Sequence, residues 1–280
     1  MRETVHRGIG APLAKLFGRS GGRLAVSAAA AALLALAGCR GSQAPQPHTI
    51  VDLSPALTYD VNLSRLGSQA LNFLGTDGRI NYAPITPSDP TYAFGIDSVQ
   101  LHSHTGSHLD AASRLLRGGE HPFQVPLEKL IGNAKVIDLR WHDTRTPIDI
   151  TDLETTPIDA GDLVVLYTGY MPPVGDKMPD YPPLSPQTAE WFAAKKIRAL
   201  ATDMPALVSL GELQLRMAAK RPPELVWAEY LPLFQAQIPI VLGLVNLDKL
   251  VDQPRVQLVV LPLPVTDSGG APARAAALLY

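Results

Sequence analysis

The chain has 280 residues, 46% of them hydrophobic, with 24 Lys and Arg against 26 Asp and Glu for a formal charge of −2. That length supports a sizeable core, and the near-neutral balance excludes the basic footprint that a nucleic-acid partner demands. Cys39 is the single cysteine, which excludes an internal disulfide.

Taken in chain order, the N-terminus reads as an export signal. Arg2, Arg7, Lys15, Arg19 and Arg23 form a basic region ahead of an apolar run from Leu24 to Ala37, too short to span a bilayer. The run ends in Leu36-Ala37-Gly38-Cys39, which resembles a bacterial lipobox, where the cysteine is diacylated and becomes the new N-terminus. An ordinary secretory signal that happens to contain a cysteine is the alternative. An unpaired thiol in an exported chain asks for a reason, and lipidation of Cys39 supplies one. Residues 1–38 are thus read as a lipoprotein signal peptide, 39–48 as a polar tether containing Pro and Gly, and 49–280 as one folded domain. The expected location is the periplasmic or extracellular face of a bacterial membrane, held by a lipid anchor. Five basic residues and one acidic residue fall within 1–38, so the remainder carries a formal charge of −6, again unsuited to nucleic acid.

Short apolar runs bounded by turn residues predict strands at Thr49–Leu53, Ser98–Leu101, Lys135–Leu139, Leu163–Tyr167, Arg198–Ala201, Ile238–Leu242 and Val256–Leu261. Gly75–Gly78 and the proline-rich Pro172–Pro183 read as loops, the second long enough for a lid or an interface arm. A helix is predicted over Ser185–Lys196, with Ser185 as N-cap, Pro186 in the first turn and Lys195-Lys196 at the C-terminal end. A second is expected over Glu224–Tyr230, cut short by Pro232. Ala271–Ala277 reads as an Ala-rich tail. The pattern indicates a single mixed α/β domain.

Among seven histidines, His102, His104 and His108 fall together with Asp110 in HSHTGSHLDAASRLL. Gly106 interrupts any helix between His104 and His108. A strand over Ser98–Leu101 running into a glycine-containing turn would let the imidazoles and the carboxylate converge. Neutral imidazole with carboxylate suits zinc, manganese or iron(II). Satisfied structural histidines and a purely hydrogen-bonded polar site remain open alternatives.

The run HTGSHLDAA from His104 to Ala112 resembles the signature His-x-Gly-Thr-His-x-Asp-x-Pro-x-His of the cyclase family, which includes bacterial kynurenine formamidase and isatin hydrolase. VDLS at Val51, KVIDL at Lys135, GDLVVLYTGY at Gly161, LSPQTAEWFAAKKIRALATDMPAL from Leu184, NLDKL at Asn246 and the closing VVLPLPVTDSGGAPARAAAL follow in the family's order. The resemblance covers residues 49–279. It implies a swivelling β/β/α fold with a mixed sheet, a homo-oligomer, and metal-dependent hydrolysis of a small amide, lactam or lactone-type bond. It also implies that His104, His108 and Asp110 hold a divalent metal, zinc before manganese, with Asp110 bridging toward a second ion in relatives.

The pattern then departs from the family. The acid/base histidine position is Arg114, the proline position is Ala112, and Ser107 replaces a threonine. Arginine stays charged and cannot take a proton from water. The family's later His and Glu fall on Tyr230 and Leu242, and no histidine follows His142, so one ion is expected rather than two, with Arg114 standing in for a lost cation or facing solvent. Tyr230 and His102 are the candidates for proton relay. His102 would share a strand face with His104, whereas His121 and Glu229 read more readily as structural. Arg114, Asp203 and Tyr230 are candidate pocket residues, Asp203 alternatively capping the next turn. Two functions follow: a metal-dependent hydrolase acting on a small molecule, or a catalytically impaired relative that binds a small ligand or supports an envelope assembly.

Overall fold

The computed structural model describes residues 46–57, 81–84, 97–171 and 180–280. The signal peptide, most of the tether, the Gly75–Gly78 loop and residues 172–179 of the proline-rich segment lie outside them. Gln46–Tyr280 form one compact unit.

Ten strands are described: β1 (Thr49–Asp52), β2 (Asn81–Pro84), β3 (Asp97–Gln100), β4 (His108–Asp110), β5 (Ile131–Asp138), β6 (Leu163–Tyr167), β7 (Ala199–Thr202), β8 (Ile240–Leu242), β9 (Val256–Pro262) and β10 (Gly270–Leu279). The β-rich apolar runs fall within a few residues of their expected places, because period-2 burial on both faces of a sheet selects Val, Ile and Leu. β10, β4, β8, β7, β6, β5 and β9 pair in that order, and β9 pairs back onto β10, so the mixed sheet closes as a seven-stranded barrel. β5 through β8 run parallel, the remaining pairs antiparallel. β1 adds to the C-terminal half of β10, and β2–β3 form a separate two-stranded sheet.

Side-chain alternation divides the core in two. Leu109, Leu163, Val165, Ala199, Ala201, Val241, Leu258, Val260, Ala275 and Ala277 pack together inside the barrel, where small Ala side chains permit closure. Their neighbours Val164, Leu166, Leu200, Ile240 and Leu242 point outward and pack with Phe192, Tyr230, Leu233 and Phe234. These last come from the helical layer, which comprises α1 (Leu127–Leu130), α2 (Ile150–Leu153), α3 (Pro186–Lys195), α4 (Leu210–Ala218), α5 (Pro223–Val226) and α6 (Leu231–Gln235). In α3, Ser185 Oγ accepts the Thr188 N–H and Lys196 ends the helix with φ 57°, as its sequence signals require. A mixed sheet with a few helices in a single domain agrees with the expected fold class.

Three expectations are corrected. The Ala-rich tail is strand β10, which borders β1, β4 and β9; alanine is selected there by the crowded interior, not by low complexity. Pro232 does not terminate a helix over Glu224–Tyr230. The chain breaks after the short α5, and Pro232 lies in the first turn of α6, a position needing no N–H. Among the described residues the strand near Ser98 pairs with β2 alone and ends before His102, so the site depends on β4 instead.

Candidate metal centre

β4 is the sequence His108-Leu109-Asp110. Period-2 alternation sends Leu109 into the barrel and turns His108 and Asp110 to the outer face together. On one side they oppose Leu242 and Ile240 of β8, on the other Pro272 and Gly270 of β10. His104 precedes the strand in the turn through Gly106, whose φ of 62° is a left-handed conformation that glycine adopts freely. Gly270 makes room for the turn: a Cβ there would lie 2.4 Å from His104 Cε1. Gly243 is similarly close, its would-be Cβ 2.8 Å from the Gly106 carbonyl oxygen.

That carbonyl fixes the tautomer of His108. Nδ1 lies 2.9 Å from Gly106 O, and a carbonyl only accepts, so Nδ1 carries the proton and Nε2 presents a lone pair. Burial, opposed by the Asp110 charge, pushes the His108 imidazole down to about 4, so it is neutral at neutral pH. Nε2 faces Asp110 Oδ1 at 3.6 Å. His104 Nδ1 approaches the same oxygen at 2.7 Å and sits 3.0 Å from Arg114 Nη1. Arginine only donates, so Nδ1 accepts there when the His104 proton sits on Nε2, the tautomer in which this ring also offers a lone pair to the centre. Asp110 Oδ1 is accordingly buried without a hydrogen bond, whereas Oδ2 accepts from Arg114 Nη1. Burial acts to raise the Asp110 pKa, but the Arg114 guanidinium outweighs it and holds the carboxyl far below the usual carboxylate range.

An orphaned carboxylate oxygen and two imidazole lone pairs thus converge, with ligand atoms within 4.8 Å of one another. In that tautomer three lone-pair donors face one another without a proton between them, and a cation relieves their repulsion. The residues therefore fit a divalent ion such as zinc. Among the described residues this is the one such grouping of His, Cys, Asp and Glu.

The remaining predicted residues are accounted for by position. Arg114 ends a 3₁₀ turn, Ala112–Arg114, directly after β4, and its guanidinium carbon lies 5.7 Å from the Trp227 ring centroid and 5.6 Å from that of Tyr230. It faces the carboxylate and is not a solvent residue. Tyr230 meets the centre through this ring; its hydroxyl accepts the Leu207 N–H at 2.9 Å, and burial raises its pKa, both unfavourable for relaying protons. Leu242 stands beside His108 across the β4–β8 pair, an apolar side chain that offers no ligand atom. His102 precedes the turn, and its carbonyl accepts the Thr105 N–H; it lies beyond β3 and outside the ligand grouping, which corrects its placement on a strand face with His104. His121 donates from Nδ1 to Ser268 O, steadying the chain before Gly269-Gly270. Glu229 is paired with Arg216 at 2.9 Å. Asp203 accepts from Thr168 N, Thr168 Oγ1 and Tyr170 N of the neighbouring β6 exit and from Thr202 Oγ1. It joins two strand ends rather than capping its own turn.

Sequence reasoning missed Gly270, Gly243 and Trp227. The DSGG segment was a signal for Gly270, since paired glycines beside a polar cluster mark close backbone approach; Trp227 had none, its place being set by the break between α5 and α6.

Residues 51–207 match the Cyclase family, described as "Putative cyclase". Kynurenine formamidase of Bacillus cytotoxicus is 26% identical over 200 residues, covering 71% of this chain and 87% of that protein. Kynurenine formamidase of Salinibacter ruber is 27% identical over 186 residues, covering 64% and 78%. Isatin hydrolase A from Labrenzia aggregata, solved with benzyl benzoate, superposes with a TM-score of 0.64 at 22% identity over 82% of this chain and 93% of that one. A structure described as a potential metal-dependent hydrolase with cyclase activity gives a TM-score of 0.61 at 20% identity, covering 83% and 98%. The structural likenesses establish the shared fold, and the match over more than half of the sequence establishes the lineage. The chain belongs to the Cyclase family and is similar to bacterial kynurenine formamidases.

Proposed function

We propose that the protein is a hydrolase holding one divalent ion, zinc before manganese, on His104, His108 and Asp110, and that it cleaves a small amide, lactam or lactone-type bond. It acts outside the cytoplasm as a homo-oligomer, anchored by lipid on Cys39. The observation that carries the chemical part is the convergence of the His104 and His108 imidazole nitrogens on the buried Asp110 Oδ1, at 2.7 and 3.6 Å.

A bound ion supplies Lewis acidity toward a substrate carbonyl and toward water. Three protein donors leave a further position for a small molecule. His108 is held rigid by Gly106, and Asp110 by Arg114 on its second oxygen. One ion would suffice because that guanidinium supplies positive charge at the second oxygen of Asp110, and neither Tyr230 nor Leu242 contributes a second set of ligands. Arg114 cannot act as a general base. Loss of such a group costs about 10²- to 10⁴-fold in rate, so turnover is slow relative to relatives with a histidine there.

A second reading is favoured by Arg114, Tyr230 and Leu242 together: the same centre serves as a binding module without turnover. One experiment separates the two. The full chain, extracted from membranes, is measured for bound metal by elemental analysis and assayed on a formanilide, an aryl ester and a lactone beside His108→Ala. About one ion per chain with turnover abolished by the variant supports the hydrolase. One ion without turnover supports the binding module, and no ion in either protein overturns the metal centre.

A further inference from the structure

We infer that Arg114 is the substrate-specificity residue of this centre and that the small molecule it receives carries a carboxylate next to the bond presented to the ion. The inference rests on the proposed metal centre for the second half of that statement only. A guanidinium offers five N–H groups in a rigid fork. In Arg114 both contacts with the centre run through Nη1, to Asp110 Oδ2 and His104 Nδ1. Nη2 and Nε meet no acceptor among the described residues, and the side chain keeps 22% of its surface exposed. The fork therefore has one atom, Nη1, fixed on the centre and an adjoining edge, Nη2 with Nε, that no described acceptor occupies, on a side chain that keeps part of its surface exposed. That second edge has the spacing for two parallel hydrogen bonds to a carboxylate.

Its orientation is fixed from two further directions. The rings of Trp227 and Tyr230 lie 5.7 and 5.6 Å from Cζ, and a stacked guanidinium cannot swing away as a lysine can. Gly269 presses from the backbone side, where a Cβ would lie 2.5 Å from Arg114 Cα. Charge points the same way. Asp110 brings one negative charge against the Arg114 guanidinium, so a divalent ion added beside them would leave a net positive charge that an anionic ligand neutralises. The anion and the ion-facing group would be held by adjacent atoms of one fork, which selects compact molecules.

Benzoate and benzamide are suitable probes, having the same shape and differing in charge. Binding to the detergent-extracted full chain is followed by tryptophan fluorescence and by calorimetry, in the metal-loaded and chelator-treated forms. Benzoate is expected to bind about tenfold or more tightly than benzamide, the range for hydrogen bonds to a charged partner. The preference should persist after chelation, fall in Arg114→Lys and vanish in Arg114→Gln. Equal binding of the two probes to the unmodified protein overturns the inference without any variant. A preference lost on chelation but kept in Arg114→Gln also overturns it, assigning the anion to the ion. A preference kept in a protein that holds no metal supports Arg114 as the anion site while the metal centre fails.

Discussion

Asp110 illustrates how one residue is shaped by its neighbours' inability to donate. Gly106 claims the His108 proton, Arg114 directs its own at His104, and Oδ1 is left bare. Each of these contacts depends on a glycine. Gly270→Ala is expected to push the His104 ring off Asp110, since the new methyl would lie 2.4 Å from Cε1. Stoichiometric metal should fall well below one ion per chain while circular dichroism stays unchanged; full metal occupancy in the variant would refute the placement of His104. A second residue-scale test concerns Glu229, which is buried and paired with a mostly buried Arg216. Arg216→Ala leaves that carboxylate uncompensated and should cost about 3–5 kcal/mol, read from denaturant unfolding. Glu229→Gln should cost markedly less, because the amide needs no counter-charge.

At the scale of elements, what was legible depended on whether local pattern and final environment agreed. β6, β7 and β8 are buried on both faces, so their apolar runs announce them, and β5 and β9, less buried, carry apolar runs rich enough in Val, Ile and Leu to read as strands. β4 is three residues long and alternates polar, apolar, polar; its residues were legible as a site, through motif spacing, but not as a strand. β10 was hidden because alanine is a poor strand former in isolation, and only barrel closure explains its use. α4, Leu210–Ala218, went unseen although Ser209 caps it through Glu212 N, since Gly211 and the preceding polar turn blur its start. The departures at Arg114, Tyr230 and Leu242 were legible by register with relatives, whereas their consequences were not. That Arg114 would lie against two aromatic rings follows from the α5–α6 break, a tertiary fact. Where local and global signals coincide, as in α3, the effect of a change is simple to state. Ser185→Ala removes the acceptor of the Thr188 N–H and should cost about 1 kcal/mol, seen as a lower denaturant midpoint with an unchanged slope. The metal centre, held by β4, β8 and β10, should keep its ion in this variant.

Over the whole molecule, the barrel and its outer site are built within Gln46–Tyr280, and among the described residues no helix is long and apolar enough to cross a membrane. In the proposed reading, attachment comes from Cys39 through the short polar segment Arg40–His48. Nine residues reach at most about 30 Å when extended, so an anchor there holds the domain near the bilayer without engaging its core. His48 N donates to Leu279 O, and β1 follows at once, so the tether joins the fold at its first hydrogen-bonded strand and leaves no slack inside the domain. Lipid attachment and metal binding should therefore be separable. Cys39→Ser is expected to lose incorporation of labelled fatty acid and to shift its processing, while the domain keeps its metal content and its preference between benzoate and benzamide. Single-chain acylation gives marginal membrane affinity whereas more than one chain gives stable anchoring, so the unmodified protein should remain in the membrane fraction through a high-salt wash. An unchanged labelling pattern and unchanged fractionation in Cys39→Ser would show that the cysteine is incidental to an ordinary cleaved signal, and would leave the chemistry of the barrel untouched.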